Sequence, residues 1–332
     1  MRSTRRVVRG LALAAALGVV LAACSSQGGR QEEAAAPGGG GGQTATTPRL
    51  TIAMITHQAP GDTFWDKVRT GAEVAAAKDN VELKYNNDPE AARQATLIQN
   101  AVDSGVDGIA VTMSKPEPLA PAIKAAVDKG IPVVAINSGI DAWKPLGIKM
   151  YFGSDETVAG ESVGERLTKE GAGKALCVIQ EQGSVSLEAR CAGVKSTHPT
   201  TENLVVNGVD LPSVRSTIAA KLQQDPSLTH VVTLGAPFAL AALESIADAG
   251  SSAKVATFDL NSDAAQAIKD GKIVFSVDQQ PYVQGYEAVD ALWLNLTNGN
   301  DLGGGRAVLT GPSFVDSTNI DQIITYAKNN TR

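Results

Sequence analysis

From residue 49 onward, short apolar runs alternate with stretches whose apolar residues recur at helical spacing. LTIAMIT (50–56) is followed by a helix predicted over 64–78, VELKYN (81–86) by one over 90–104, and DGIAVT (107–112) by LAPAIKAAVDKG, where Gly130 stands as a C-terminal cap. IPVVAIN (131–137) closes that series. A second one runs through KALCVIQ (174–180), a helix near 187–197, ENLVVN (202–207), a helix over 213–224, HVVTLG (230–235), a helix over 239–249, and KVATFD (254–259). Short apolar runs alternating with helices are the pattern of parallel βαβ winding, which buries its strands on both faces. The chain is therefore expected to be α/β, with two doubly wound parallel sheets in tandem. After KIVFSVD (272–278), a long helix over 281–296, AVLTGPSFV (307–315) and a last helix over 320–329 leave chain to cross back between the sheets.

Ligands of open parallel sheets sit beyond the carboxyl ends of the strands. The residues there are Thr56 and His57, Asn137 and Ser138, Gln180 and Glu181, Asn207, Asp259, and Gln279 with Gln280. Nearly all carry planar hydrogen-bonding heads. Asn and Asp also suit turns and helix caps, so any one of them alone has a local explanation; their recurrence at both sheets points to a polar cleft.

The remaining regions set the context. Arg2, Arg5, Arg6 and Arg9 precede an apolar run over 11–23 that is too short for a spanning helix, so residues 1–23 are expected to be an export signal. Its end, LAAC, resembles a bacterial lipobox, which makes Cys24 the expected lipidated first residue of a protein held on the outer face of the cell membrane. Residues 24–48, with five consecutive glycines, cannot bury a core and read as a flexible tether. The 29 basic residues, less the leader's four, leave 25 against 35 acidic ones, a formal charge of −10 that argues against a nucleic-acid partner. Cys177 and Cys191 would close a short loop in an oxidising compartment as a disulfide, or remain as two buried thiols. Three histidines, His57, His198 and His230, show no metal-ligand spacing with them, and no cofactor or metal is expected.

GDTFW (61–65), GIPVVAINSG, FGSDE, LEARCAG, VATFD and GKIVFSVDQQPYVQGYEA together resemble the type I periplasmic sugar-binding proteins, the ribose- and galactose-binding components of ABC importers. The likeness spans residues 49–332, and KALCVIQEQG with LEARCAG resembles an actinobacterial simple-sugar branch in which both cysteines recur. It implies two lobes, 49–154 plus 280–309 and 155–279 plus 310–332, joined by three hinge crossovers near 153–156, 278–281 and 309–312. It also implies a monomer that captures a monosaccharide, polyol or cyclitol by closure and delivers it to a permease and its ATPase.

The resemblance places ligand contacts at Asp62, Phe64, Trp65, Asn137, Arg190, Asp259 and Gln279. Rings suit the C–H faces of a sugar, while carboxylates, amides and guanidinium suit its hydroxyl rim. Each position has a structural alternative. Phe64 also begins the apolar stripe Phe64, Val68, Ala72 and Ala75; Arg190 could pair with Glu181 or Glu188; Asp259 could cap the helix that follows it. In TFWD, Thr63 and Asp66 fit a helix-capping pattern. Two departures, Asn137-Ser138 where ribose-type binders carry Asp-Arg and Gly235-Ala236 where they carry Asn-Asp, argue against ribose itself.

Catalysis is not expected. Asp62 and Asp259 could be imagined as a glycosidase carboxylate pair, but the rim pattern offers no reason for either to have a raised pKa; no G-x-S-x-G elbow is present, and TKEGAGKA lacks the first glycine and the Ser/Thr of a phosphate loop. A lac-repressor-type regulator would need a helix-turn-helix where the leader and tether lie. A sensor that presents its closed form to a membrane receptor is the remaining alternative to import.

Overall fold

The computed structural model describes residues 44–332. The expected leader, Cys24 and the tether up to residue 43 lie outside that range. The chain runs β1 (Leu50–Thr56), α1 (Phe64–Lys78), β2 (Val81–Asn87), α2 (Ala91–Asp103), β3 (Gly108–Thr112), α3 (Pro116–Asp128), β4 (Val133–Asn137), β5 (Met150–Gly153), α4 (Glu156–Lys169), β6 (Lys174–Ile179) and α5 (Val185–Thr197). It continues through β7 (Thr201–Val205), α6 (Leu211–Gln224), β8 (Leu228–Thr233), α7 (Ala236–Ala249), β9 (Lys254–Phe258), α8 (Ser262–Lys269), β10 (Ile273–Asp278), α9 (Pro281–Asn298), β11 (Val308–Leu309), β12 (Ser313–Asp316) and α10 (Ile320–Lys328).

Two six-stranded sheets result, ordered β11-β5-β4-β3-β1-β2 and β12-β10-β9-β8-β6-β7. Pairing is parallel except where β12 joins β10. Alternate residues of each strand feed opposite cores, as a two-residue period requires: Ile52 and Met54 of β1 pack under α1 and α9, whereas Ala53 and Ile55 pack with Ile98 and Leu119 of α2 and α3. The second sheet is covered in the same way, with α4 and α5 on one face and α6, α7, α8 and α10 on the other. Among the described residues, no helix is long and apolar enough to cross a membrane.

The chain passes between the sheets three times: from β5 into α4, from β10 into α9, and from β11 into β12. These passages are bonded to one another. Gln280 Nε2 donates to the Thr310 carbonyl at 2.8 Å, and Gln284 Nε2 donates to Thr310 Oγ1 at 3.1 Å. Gln280 itself takes a left-handed conformation, φ +55°, at the mouth of α9.

Close helix contacts fix the elements that carry the cleft. A Cβ on Gly160 of α4 would lie 2.1 Å from the Arg190 carbonyl of α5, and one on Gly285 of α9 would lie 1.8 Å from the Val68 carbonyl of α1. Only glycine permits either approach. Cys177 of β6 and Cys191 of α5 are joined as a disulfide, with Cα atoms 5.8 Å apart. At the other pole, the segment entering β1 is held by Ala45 N donating to the Lys78 carbonyl (2.8 Å), Asn80 Nδ2 to the Thr47 carbonyl (2.9 Å), and Trp293 Nε1 to Thr47 Oγ1 (3.0 Å).

Candidate functional site

The carboxyl ends of the two sheets face a shared cavity of about 930 Å3. Asp62, Phe64, Trp65, Asn137, Arg190, Asp259 and Gln279 all line it. The two halves touch along one side, where Val185 N donates to the Ser114 carbonyl (2.9 Å), Ser138 and Ser186 hydroxyls meet at 2.5 Å, and Lys115 pairs with Glu181 (3.3 Å).

The wall from the first sheet is aromatic. Phe64 and Trp65 open α1 with ring centroids 5.0 Å apart at 81°, and both are buried in the core as well as bordering the cavity. The expected stripe Phe64, Val68, Ala72 and Ala75 is buried throughout, so packing and cavity lining coexist at Phe64. The capping pattern falls differently from the expectation. Thr63 makes no side-chain cap bond; instead Asp62 Oδ1 accepts from Phe64 N and Oδ2 from Trp65 Nε1, both at 3.0 Å. One carboxylate thereby starts the helix and aims the indole. Burial pushes the Asp62 carboxyl up, and the Phe64 amide and Trp65 indole oppose the shift.

His57 meets Trp65 edge-on at 4.7 Å. Thr112 Oγ1 accepts from His57 N (3.1 Å) and Gln94 Nε2 (3.2 Å), so its own hydrogen goes to His57 Nδ1 at 2.6 Å, which leaves Nε2 protonated. Burial lowers the His57 pKa and favours this neutral ring.

Asn137 and Asp259 occupy corresponding places, ending β4 and following β9, and both are left-handed, at φ +65° and +64°. Asn and Asp are the non-glycine residues that tolerate this conformation best, and such backbone strain concentrates at ligand sites. Gln279 links them across the two halves: Asn137 Nδ2 donates to Gln279 Oε1 at 2.9 Å, and Gln279 Nε2 donates to Asp259 Oδ1 at 2.7 Å. Gln284 Nε2 adds a 3.2 Å bond to the same Gln279 oxygen. Gln279 thus orients both side chains, with its oxygen accepting twice and its nitrogen keeping one hydrogen for the cavity that it lines. The cap of α8 is Asn261, whose Oδ1 accepts from Ala264 N at 2.8 Å, so Asp259 is not a helix cap. Burial pushes Asp259 up to about 7, against the Arg190 charge and the Gln279 bond.

Arg190 is buried and bidentate on Glu156, with Nε to Oε2 at 2.5 Å and Nη2 to Oε1 at 2.9 Å, over the Phe258 ring at 4.7 Å. Its partner is neither of the acids that the sequence suggests: Glu181 pairs with Lys115, and Glu188 accepts from Gly183 N at 3.0 Å. The Nε/Nη2 edge is spent on Glu156 and Nη1 donates to the Leu234 carbonyl at 3.4 Å, which leaves the cavity one hydrogen on each terminal nitrogen. Burial works against the charge, but Glu156 outweighs it and holds the guanidinium protonated.

Glu156 and Lys67 carry charge here that sequence reasoning missed. Glu156 stands in FGSDE, where its place at the start of α4 gives a reason for an acid without any partner. Lys67 is 1% exposed, donates to the Thr63 carbonyl at 3.1 Å, and has a pKa lowered by burial with Asp259 as its main counter-charge. A lysine on the apolar face of α1 was the available signal. Among the described residues, no cluster of three or more His, Cys, Asp or Glu is arranged for a metal. The arrangement offers flat rings on one wall, oriented amides where the chain passes between the sheets, and a carboxylate with fixed positive charge on the other wall, a combination that fits a small neutral ring edged with hydroxyls.

Comparison with known proteins agrees. Residues 52–301 match the family described as periplasmic binding protein domain. A carbohydrate transporter of Acidothermus cellulolyticus 11B, crystallised in complex with myo-inositol, is 59% identical, with a TM-score of 0.85 over 86% of this chain and 100% of that one. The ribose import binding protein of Bacillus subtilis is 24% identical over 69% of this chain and 76% of its own length. The xylose/arabinose-binding protein of Sulfolobus acidocaldarius is 26% identical over 67% of this chain, and the match spans 60% of that relative's length.

Proposed function

Because this chain belongs to the periplasmic binding protein domain family, we propose that it is a lipid-anchored, extracytoplasmic receptor that closes around a cyclitol of the inositol class and delivers it to an ABC importer. It is a binding protein and not an enzyme. The observation that carries the ligand class is the 59% identical transporter with myo-inositol in place. The two departures from the ribose pattern, at Asn137-Ser138 and Gly235-Ala236, argue against ribose and leave a bulkier sugar, a polyol or a cyclitol open.

Capture would use the two walls together. Phe64 and Trp65 lie against the C–H face of the ring, Asp62 and Asp259 accept from its hydroxyls, and Asn137 and Arg190 donate to them. Because these groups come from both halves, the full set exists only when the halves meet. Binding therefore shifts the hinge equilibrium by the difference in contacts between the open and closed forms. The shut form, with Ser114 against Val185, is the shape that a permease distinguishes from the open one. Micromolar affinity requires about 8 kcal/mol, within reach of one stacked face and several charge-assisted bonds after ordering costs.

A thermal-shift and calorimetry panel of myo-inositol, scyllo-inositol, ribose, xylose, xylitol and glucose tests the assignment. Inositols at 100 times their dissociation constant should add about 2.7 kcal/mol of stability, with no turnover and no response to ribose. Flat melting curves across all six compounds would remove the cyclitol reading.

A further inference from the structure

The cavity is larger than its proposed cargo. A hexahydroxycyclohexane displaces roughly 180 Å3, the share of about six waters, whereas the space between the walls is about 930 Å3. The halves already touch along one side, where Ser114 bonds to Val185 and Ser138 meets Ser186. The lining of the cavity extends to Gln180, Val206, Gly208, Gly235 and Phe238, an annex beside the carboxyl ends of β6, β7 and β8.

Two features show that this annex is formed by particular residues. Gly235 has φ −173° and ψ 149°, extended backbone that any residue adopts, so the chain path does not require glycine there. The nearest atoms to a Cβ at that position would be the Phe238 ring, at 3.2 and 3.5 Å, and Gln180 Nε2, at 3.6 Å, all of them side chains that line the cavity. A side chain at 235 would therefore take up space beside Phe238 and Gln180. Secondly, Gln180 Oε1 is buried with no hydrogen-bond partner among the described residues, while its Nε2 reaches only the Leu234 carbonyl, at 3.4 Å. An acceptor left unpaired is costly, and a turn of the Gln180 side chain, which lines the cavity, would present it to a ligand donor. The annex leads outward past Val205, Val209 and Leu211, whose side chains are exposed.

We propose that the cyclitol site continues into a second subsite for one exocyclic substituent, so that the cargo class is an O-substituted cyclitol, either a short ether or an O-linked second sugar. The apolar edge of the substituent lies on Phe238, and a hydroxyl on it donates to Gln180 Oε1. This rests on the cyclitol assignment above.

The test is calorimetry with myo-inositol, the positional mono-O-methyl-myo-inositols and galactinol, an O-galactosyl inositol, on the wild type, Gly235→Asn and Gln180→Leu. Asparagine is a favourable helix N-cap, which suits position 235 before α7. In the wild type, at least one substituted ring should bind as tightly as myo-inositol or more tightly. Gly235→Asn should weaken that ligand at least tenfold and change myo-inositol less than threefold. Gln180→Leu should weaken galactinol about tenfold and spare both myo-inositol and the methyl ethers, and it carries the test if Gly235→Asn does not fold. Myo-inositol binding with every substituted ring more than 100-fold weaker would overturn the annex and leave the cyclitol assignment standing. Folded variants that treat substituted and parent rings alike would also overturn it. Failure of the whole panel would remove the cyclitol assignment and this inference together.

Discussion

The two walls of the cleft reach readiness for a ligand by opposite routes. On the first wall the parts are local: Asp62, Phe64 and Trp65 lie within four positions, and one carboxylate both starts α1 and holds the indole. On the second wall the parts are distant. Arg190 is set by Glu156, 34 positions earlier, and Asp259 by Gln279, 20 positions later. A wall built locally tolerates change elsewhere in the fold, whereas a wall built from charges on separate elements couples binding to the stability of the whole half. The second wall also carries the electrostatic cost, since Arg190, Glu156 and Asp259 are all buried.

The largest effect expected from this contrast follows Glu156→Ala. Stripping a buried guanidinium of its counter-ion costs about 3–5 kcal/mol, so urea unfolding should show a loss of that order together with loss of ligand binding. A loss below about 1 kcal/mol would mean that Arg190 finds another partner and that the second wall is less interdependent than its contacts imply. On the first wall, Trp65→Phe keeps an aromatic ring but removes the indole donor to Asp62 and part of the ring surface. It should weaken the proposed cyclitol about tenfold, near 1.4 kcal/mol, with a stability change of about 1 kcal/mol; equal damage to folding and binding would erase the distinction between the walls.

The smallest effect concerns pH. An ordinary aspartate titrates near 3.8 and Asp259 near 7, so the folded chain holds an extra proton between those values. The stability contribution is complete below about 4 and is lost as pH rises through about 7. Asp259→Asn removes this slope: its melting temperature should exceed that of the wild type by a few degrees at pH 8 and match it at pH 4. Coincident melting curves at both values would mean that Asp259 ionises without penalty.

Legibility in the sequence follows the same division between local and distant. The bounds of α1, Phe64–Lys78, were readable because a 15-residue amphipathic stretch follows a strand and an acidic turn. The alternating strands were readable for the same reason: their apolar runs report burial on both faces. β5 and α4 were not. MYFG is only four residues long, and ETVAGESVGERLTK carries glycines that lower helix propensity; Gly160 serves the close approach to α5, which no single-chain pattern reveals. Within the cleft, residues at strand ends could be found by position. The pairing of Arg190 with Glu156 could not, because it depends on how two helices from different parts of the chain lie together. Thr63 and Asp66 matched a capping pattern, yet Asp62 does the capping, since its neighbour Trp65 supplies a second donor that the pattern does not consider.

The clamp on Thr47 has a practical consequence for handling the protein. It fixes the entry of the chain at the amino end of β1, about 20 Å, the length of a seven-residue strand, from the mouth where cargo is taken. A fluorophore or affinity handle attached at residues 44–47 themselves would sit at the amino end of β1, away from the aperture.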